Sequence, residues 1–151
     1  NTRKENIVAY ITTEETREIR NALKETFKNT TFKFGVKKDH YSSITVTIKA
    51  GAELPTVAKK LTENGSDYYP LNPYHLDQNI GTEDEFIVLN EVIRVIKEGS
   101  SNKWYDKSDS MTDYFDTAFY FYVNIGQYKK PYQVNNKVTL SETVKRLKGS
   151  A

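Results

Sequence analysis

The chain has 151 residues, 37% of them hydrophobic, 28% charged and 13% aromatic, with a formal net charge of +2. That length suits one domain, and so large an aromatic share is foreign to disordered chains, so a packed core is expected. No apolar run approaches the roughly 18 residues of a membrane-spanning helix, and the absence of Cys removes disulfides, thiolate nucleophiles and Cys-based zinc sites together.

In chain order, the first predicted element is a helix over Ile11–Phe27. Thr12 and Glu15 have capping-box spacing, in which hydroxyl and carboxylate satisfy free amides. Ile19, Ala22, Leu23, Thr26 and Phe27 then form one stripe, with Lys24 and Lys28 at the end the helix dipole makes negative. Two strands follow. Phe32, Phe34 and Val36 alternate with polar residues, as do Ile44, Val46 and Ile48, and the link around Asp39 and His40 suits an antiparallel hairpin. Leu54, Val57, Ala58 and Leu61 share a face of a short helix with Pro55 in its first turn and Glu63-Asn64-Gly65 at its end. Pro70 and Pro73 predict an irregular loop over residues 66–81.

Thr82 and Glu85 form a second capping-box pattern. Phe86, Leu89, Val92, Ile93 and Ile96 make the stripe of a long helix to about Glu98, and Ile87, Val88 and Val95 widen it toward deep burial. Residues 99–102 break the chain and an acidic stretch follows. Ala118–Ile125 reads as a strand apolar or aromatic on both faces, and therefore central. Leu140, Val144 and Leu147 mark a weak closing helix. The order α-β-β-α-α-β, with a last α, predicts an α+β fold: a small, mostly antiparallel sheet covered by helices. One domain is expected, with a division into residues 1–65 and 66–151 as the alternative.

Charge is uneven along the chain. Residues 1–65 hold 12 Lys/Arg against 8 Asp/Glu, residues 66–128 hold 4 against 11, and residues 129–151 hold 6 against 1. Opposite segments can neutralise one another on folding, or remain as patches of opposite sign that speak to partners.

Catalytic patterns are scarce. The histidines are His40, at the hairpin tip, and His75, in the Pro-rich loop, and no G-x-S-x-G accompanies either. Asp106, Asp109, Asp113 and Asp116 would share one helical face and could ligate Mg²⁺ or Ca²⁺. The EF-hand spacing is missing, however, and a solvated acidic surface is the plainer reading. No phosphate-binding glycine motif occurs. Two binding surfaces remain. Tyr68, Tyr69, Tyr74, Trp104 and Tyr105, with Asp109 and Asp113, form an aromatic, acidic middle suited to a protein partner. The alternation places Lys33, Lys37 and Lys49 on the wet face of the hairpin, with Lys38 and Tyr41 nearby. These, with Lys129, Lys130, Lys145, Arg146 and Lys148, could track phosphates and stack a base.

Ile19-Arg20-Asn21-Ala22-Leu23-Lys24-Glu25-Thr26-Phe27, Phe32-Lys33-Phe34-Gly35-Val36 and His40-Tyr41-Ser42-Ser43-Ile44-Thr45-Val46 resemble the helix, first strand and second strand of a family. It is the type numbered 29 among the large polyvalent protein-associated domains of phages and conjugative elements. The resemblance covers residues 14–65. Residues 110–116 and 125–132 are similar to segments of small phage and prophage proteins. No catalytic residue carries over. The resemblance implies a mobile-element protein, cytoplasmic in its bacterial host, that counters defence or accompanies injected DNA.

Together these readings predict a non-enzymatic protein without cofactor or metal and without membrane association. It binds a host or phage protein stoichiometrically, a defence nuclease complex being one form. A small nucleic-acid-binding module is the alternative.

Overall fold

The computed structural model describes residues 8–108 and 116–149. Ten elements run in the order α1 (Thr13–Thr26), β1 (Lys33–His40), β2 (Ser43–Gly51), α2 (Pro55–Asn64), β3 (Tyr69–Leu71), α3 (Leu76–Asn79), α4 (Glu83–Glu98), β4 (Tyr120–Ile125), β5 (Gln133–Val134) and α5 (Leu140–Gly149). The strands form one mixed sheet in the order β1-β2-β4-β3, and β5 extends it beside β2. The outer pairs β1–β2 and β3–β4 are antiparallel, while β2–β4 and β2–β5 are parallel. The α+β class is as the sequence predicts.

The first helix begins as its capping box dictates. The Thr12 hydroxyl accepts from the Glu15 N–H at 3.0 Å, and the Glu15 carboxylate accepts from the Thr12 N–H at 2.8 Å. Ile19 and Leu23 are fully buried, and Phe27 meets Phe32 and Phe34 with ring centroids 5.8 and 5.0 Å apart. Those contacts lay α1 against β1. In β2, Ile44, Val46 and Ile48 are fully buried, and their neighbours Val36, Phe121, Val123 and Ile125 turn to the same side. Val88, Leu89, Val92, Ile93, Val95 and Ile96 of α4 complete this core.

The loop expected over residues 66–81 contains β3 and α3. Pro70 is tolerated because β3 is the sheet's edge and pairs only with β4, so its missing N–H breaks no ladder on the outer side. A second correction concerns Ala58, placed on the buried face of α2, which is exposed; Leu54 and Val57 supply the burial. Gly65 ends α2 in the left-handed conformation at φ +60°, which only glycine adopts without penalty.

The second capping box is half-formed, for a physical reason. The Thr82 hydroxyl accepts from the Glu85 N–H at 3.4 Å, but the Glu85 carboxylate does not return to Thr82's amide. One oxygen accepts from the Thr82 hydroxyl at 2.7 Å, and the other from the N–H groups of Thr56 and Val57 at 2.8 and 3.3 Å. The N-cap of α2 is Leu54, whose side chain can accept nothing. Glu85, fully buried, therefore caps α2 from the first turn of α4 and, through the Thr82 hydroxyl, ties the two helix starts together.

Glu85→Ala strands both amides of α2 and leaves a cavity. It is expected to lower stability by about 3 kcal/mol in urea unfolding, against about 1 kcal/mol for Thr82→Ala. A loss for Glu85→Ala no larger than that for Thr82→Ala would contradict the cap that Glu85 supplies to α2.

Candidate functional site

Because the apolar residues of β1, β2 and β4 turn to the helices, the residues between them form the opposite face. Register aligns Lys37, Thr45 and Tyr122 in one row across three strands. The next row is Gly35, Thr47, Asn124 and Pro70. This face is wet: Tyr120 is 43% and Tyr122 55% exposed. The expectation of a strand apolar or aromatic on both faces is refined: one face is apolar and buried, the other carries exposed tyrosines. Residues 118–125 do hold a central strand, flanked by β2 and β3, but its tyrosines stand in solvent with their polar tips free of the core.

One concavity lies on this face and a second at its edge along β4. The first is a shallow hollow of about 410 Å³ lined by Lys37, Asp39, Thr45, Thr47, Lys49 and Asn124. Its acid is engaged, since the Thr45 hydroxyl donates to the Asp39 carboxylate at 2.6 Å. The other is an aromatic recess of about 140 Å³ where Tyr74, Trp104, Asp106, Tyr120, Phe121 and Tyr122 meet. It lies beside the part of β4 that β3 leaves unpaired, because β3 reaches only residues 123–125.

The recess is pinned from several directions. The Trp104 indole N–H donates to the Phe119 carbonyl at 2.8 Å, and its ring stands edge-on to Phe121 with centroids 5.7 Å apart. The Lys97 ammonium is 4.5 Å from the same ring, within cation–π range. Asp106 bridges to Thr117, which brings the chain back to β4. Its Oδ1 accepts from the Ser108 N–H at 3.0 Å and the Thr117 hydroxyl at 3.2 Å. The Ser108 hydrogen bonds hold the Asp106 carboxyl below its ordinary range, so it is ionised at neutral pH. Tyr74, 66% exposed, has its phenol pushed up by partial desolvation, then by the Asp106 charge and Tyr120.

Of the predicted aromatic surface, the recess gathers Tyr74 and Trp104. Tyr69 pairs with Ile125 on the helix side of the sheet, its ring 5.9 Å from the Lys60 ammonium. Tyr68 is half-buried just before β3. Tyr105 is exposed and outside the recess, with the Lys107 ammonium 5.4 Å from its ring. Asp109 and Asp113 lie outside the described residues. Tyr120 and Tyr122 were missed, although the run Tyr120-Phe121-Tyr122-Val123-Asn124-Ile125 sets polar-tipped and apolar residues in strict alternation.

The basic residues do not assemble. Lys37 and Lys49 line the open hollow. Lys33 does not join them: the register shifts between Lys33 and Phe34, and Lys33 lines a hollow with Lys24, Phe27 and Phe32 beside α1. Lys38 shares Val36's side of β1, and its ammonium donates to the His40 carbonyl at 2.8 Å. Tyr41 is exposed at the hairpin turn. Lys129 and Lys130 sit in the turn after β4, where the Lys129 N–H donates to the Asp67 carboxylate at 2.9 Å. Lys145, Arg146 and Lys148 belong to α5, in the helical layer, and Arg146 donates to the Asn29 carbonyl at 2.7 Å.

His40 and His75 are both exposed. Among the described residues, no group of three His, Cys, Asp or Glu side chains could hold a metal ion, and no helix is long and apolar enough to cross a membrane. No family model matches the chain, and neither a curated protein nor a solved structure matches it. The family resemblance of residues 14–65 therefore rests on its motifs alone.

An open face has a clear signature in stability. The double substitution Tyr120→Ala with Tyr122→Ala is expected to cost no more than about 1 kcal/mol, whereas Phe121→Ala, between them and on the core side, costs about 3–4 kcal/mol. Equal losses in chemical denaturation would mean that the tyrosines are covered.

Proposed function

We propose that the protein works by stoichiometric binding, with the uncovered sheet face and its aromatic recess as the surface that meets a partner protein. The observation that carries this reading is the convergence of Tyr74, Trp104, Tyr120 and Tyr122 on one recess. Tyr and Trp present large, stiff areas at small entropic cost and dominate binding hot spots. Single exposed aromatics are ordinary; three exposed tyrosines beside a half-buried tryptophan, two of the tyrosines on a strand of the sheet, are a prepared surface.

In the mobile-element setting that the resemblance of residues 14–65 implies, the partner is a host or phage protein. A defence nuclease complex, bound and inhibited, is the concrete case. A nucleic-acid ligand draws support from Lys37 in one row with Tyr122 and from Lys49 in the same hollow, but Lys33 and Lys38 lie off that face and Lys145, Arg146 and Lys148 belong to α5. Phosphate tracking needs a continuous basic path.

Capture from bacterial lysate by the immobilised protein, with and without nuclease, tests the reading. A protein retained in both conditions, and reduced at least about tenfold by Tyr120→Ala with Tyr122→Ala, is the expected result. Retention that nuclease abolishes, or that the double variant leaves unchanged, would contradict it.

A further inference from the structure

A hollow of about 420 Å³ lies between α1, α4 and α5, and it is lined by charges that already answer each other. Arg94 pairs with Glu91 at 2.6 Å and Lys28 with Glu25 at 2.5 Å. The aromatic recess is different. Its single charged lining residue among those described is Asp106, and no basic side chain lines it. At about 140 Å³ it falls well short of the roughly 300–1,000 Å³ typical of small-molecule and cofactor pockets, and it suits the end of one side chain.

The exposed rings of Tyr74, Tyr120 and Tyr122 and the Asp106 carboxylate give the recess its negative side, while the Trp104 ring is already met by Lys97. Aromatic faces carry the negative part of the ring quadrupole and attract cations. Asp106 adds a full negative charge beside Tyr74, in a position fixed by Ser108 and Thr117. The chain itself sets cations against neighbouring rings: Lys97 lies 4.5 Å from Trp104 and Lys107 5.4 Å from Tyr105. Tyr74, Tyr120 and Tyr122 are exposed and open to a cation from outside.

Resting on the reading of this face as a protein-binding surface, we infer that the recess receives a lysine or arginine side chain of the partner, with its stem against the tyrosine rings and its charged head toward Asp106. The partner's contact segment is therefore basic. A neutral apolar side chain would fill the space but leave Asp106 desolvated without a counter-charge, which is unfavourable.

Trp104 is the chain's one tryptophan and reports on the recess directly. The full chain is titrated with N-acetyl-lysine methylamide, N-acetyl-arginine methylamide and the neutral norleucine analogue, following Trp104 emission and the tyrosine ring resonances. Saturable changes at Trp104, Tyr74, Tyr120 and Tyr122 are expected with the lysine or arginine probe, weakened by added salt. The norleucine probe binds at least roughly fivefold more weakly, and Asp106→Asn removes most of that difference. Equal binding of norleucine, an unchanged preference in Asp106→Asn, or no response to any probe overturns the inference. An oligothymidylate that moves the same resonances while the cations do not overturns it also. If the probes fail while partner capture still depends on Tyr120 and Tyr122, the surface stands and the cationic occupant falls. If the probes bind while capture ignores those tyrosines, the occupant stands without the wider surface.

Discussion

The alternation of β4 between a covered and an uncovered side governs this molecule. Phe121, Val123 and Ile125 are drawn into the core because α1 and α4 lie on that side of the sheet. Chain geometry then leaves Tyr120, Tyr122 and Asn124 no other place than the opposite face. β2 is hydrogen-bonded along the whole of β4, from Tyr120 to Ile125, and β3 along Val123–Ile125, so the tyrosines stand on a strand held in register along its β2 side. Pre-organisation of this kind reduces the ordering cost of binding, which is why a central strand makes a better platform than a loop of equal composition.

The helical layer that imposes this asymmetry is held by polar as well as apolar contacts. Glu85 joins the start of α4 to the start of α2, and Arg20 of α1 donates to the Val36 carbonyl of β1 at 2.6 Å. Tyr132 works similarly at the far end of the sheet. Its hydroxyl donates to the Ala52 carbonyl at 2.6 Å, and burial pushes its phenol far above the ordinary range. These bonds link segments distant in sequence and hold the helical layer over one face of the sheet.

Local signals in the sequence were legible. The α1 capping box, the alternation of the hairpin and the stripe of α4 each depend on residues within a turn or two, and each forms where expected. Signals that depend on distant partners were not. Glu85 has capping-box spacing, but its carboxylate goes to α2 because Leu54 cannot cap that helix. Pro70 reads as a strand breaker until the strand proves to be an edge. Lys33 follows the hairpin alternation by count, but a register shift removes it from the face of Lys37 and Lys49. The recess was the least legible feature, since Tyr74, Trp104 and Tyr122 meet only after β4 inserts beside β2 and β3. Its composition was half-visible: Tyr74 and Trp104 stand out in the aromatic middle, but Tyr120 and Tyr122 read as part of a central strand aromatic on both faces.

Hydroxyl-radical footprinting of the protein alone and in its captured complex tests the central claim most directly. Free, Tyr120 and Tyr122 should oxidise readily and Phe119 and Phe121 slowly. In the complex, Tyr74, Trp104, Tyr120 and Tyr122 should become protected, while Tyr128, 71% exposed in the turn beyond β4, stays reactive. Protection confined to α5 or the Tyr128 turn, with Tyr120 and Tyr122 as reactive as in the free protein, would contradict the assignment of the uncovered sheet face as the working surface.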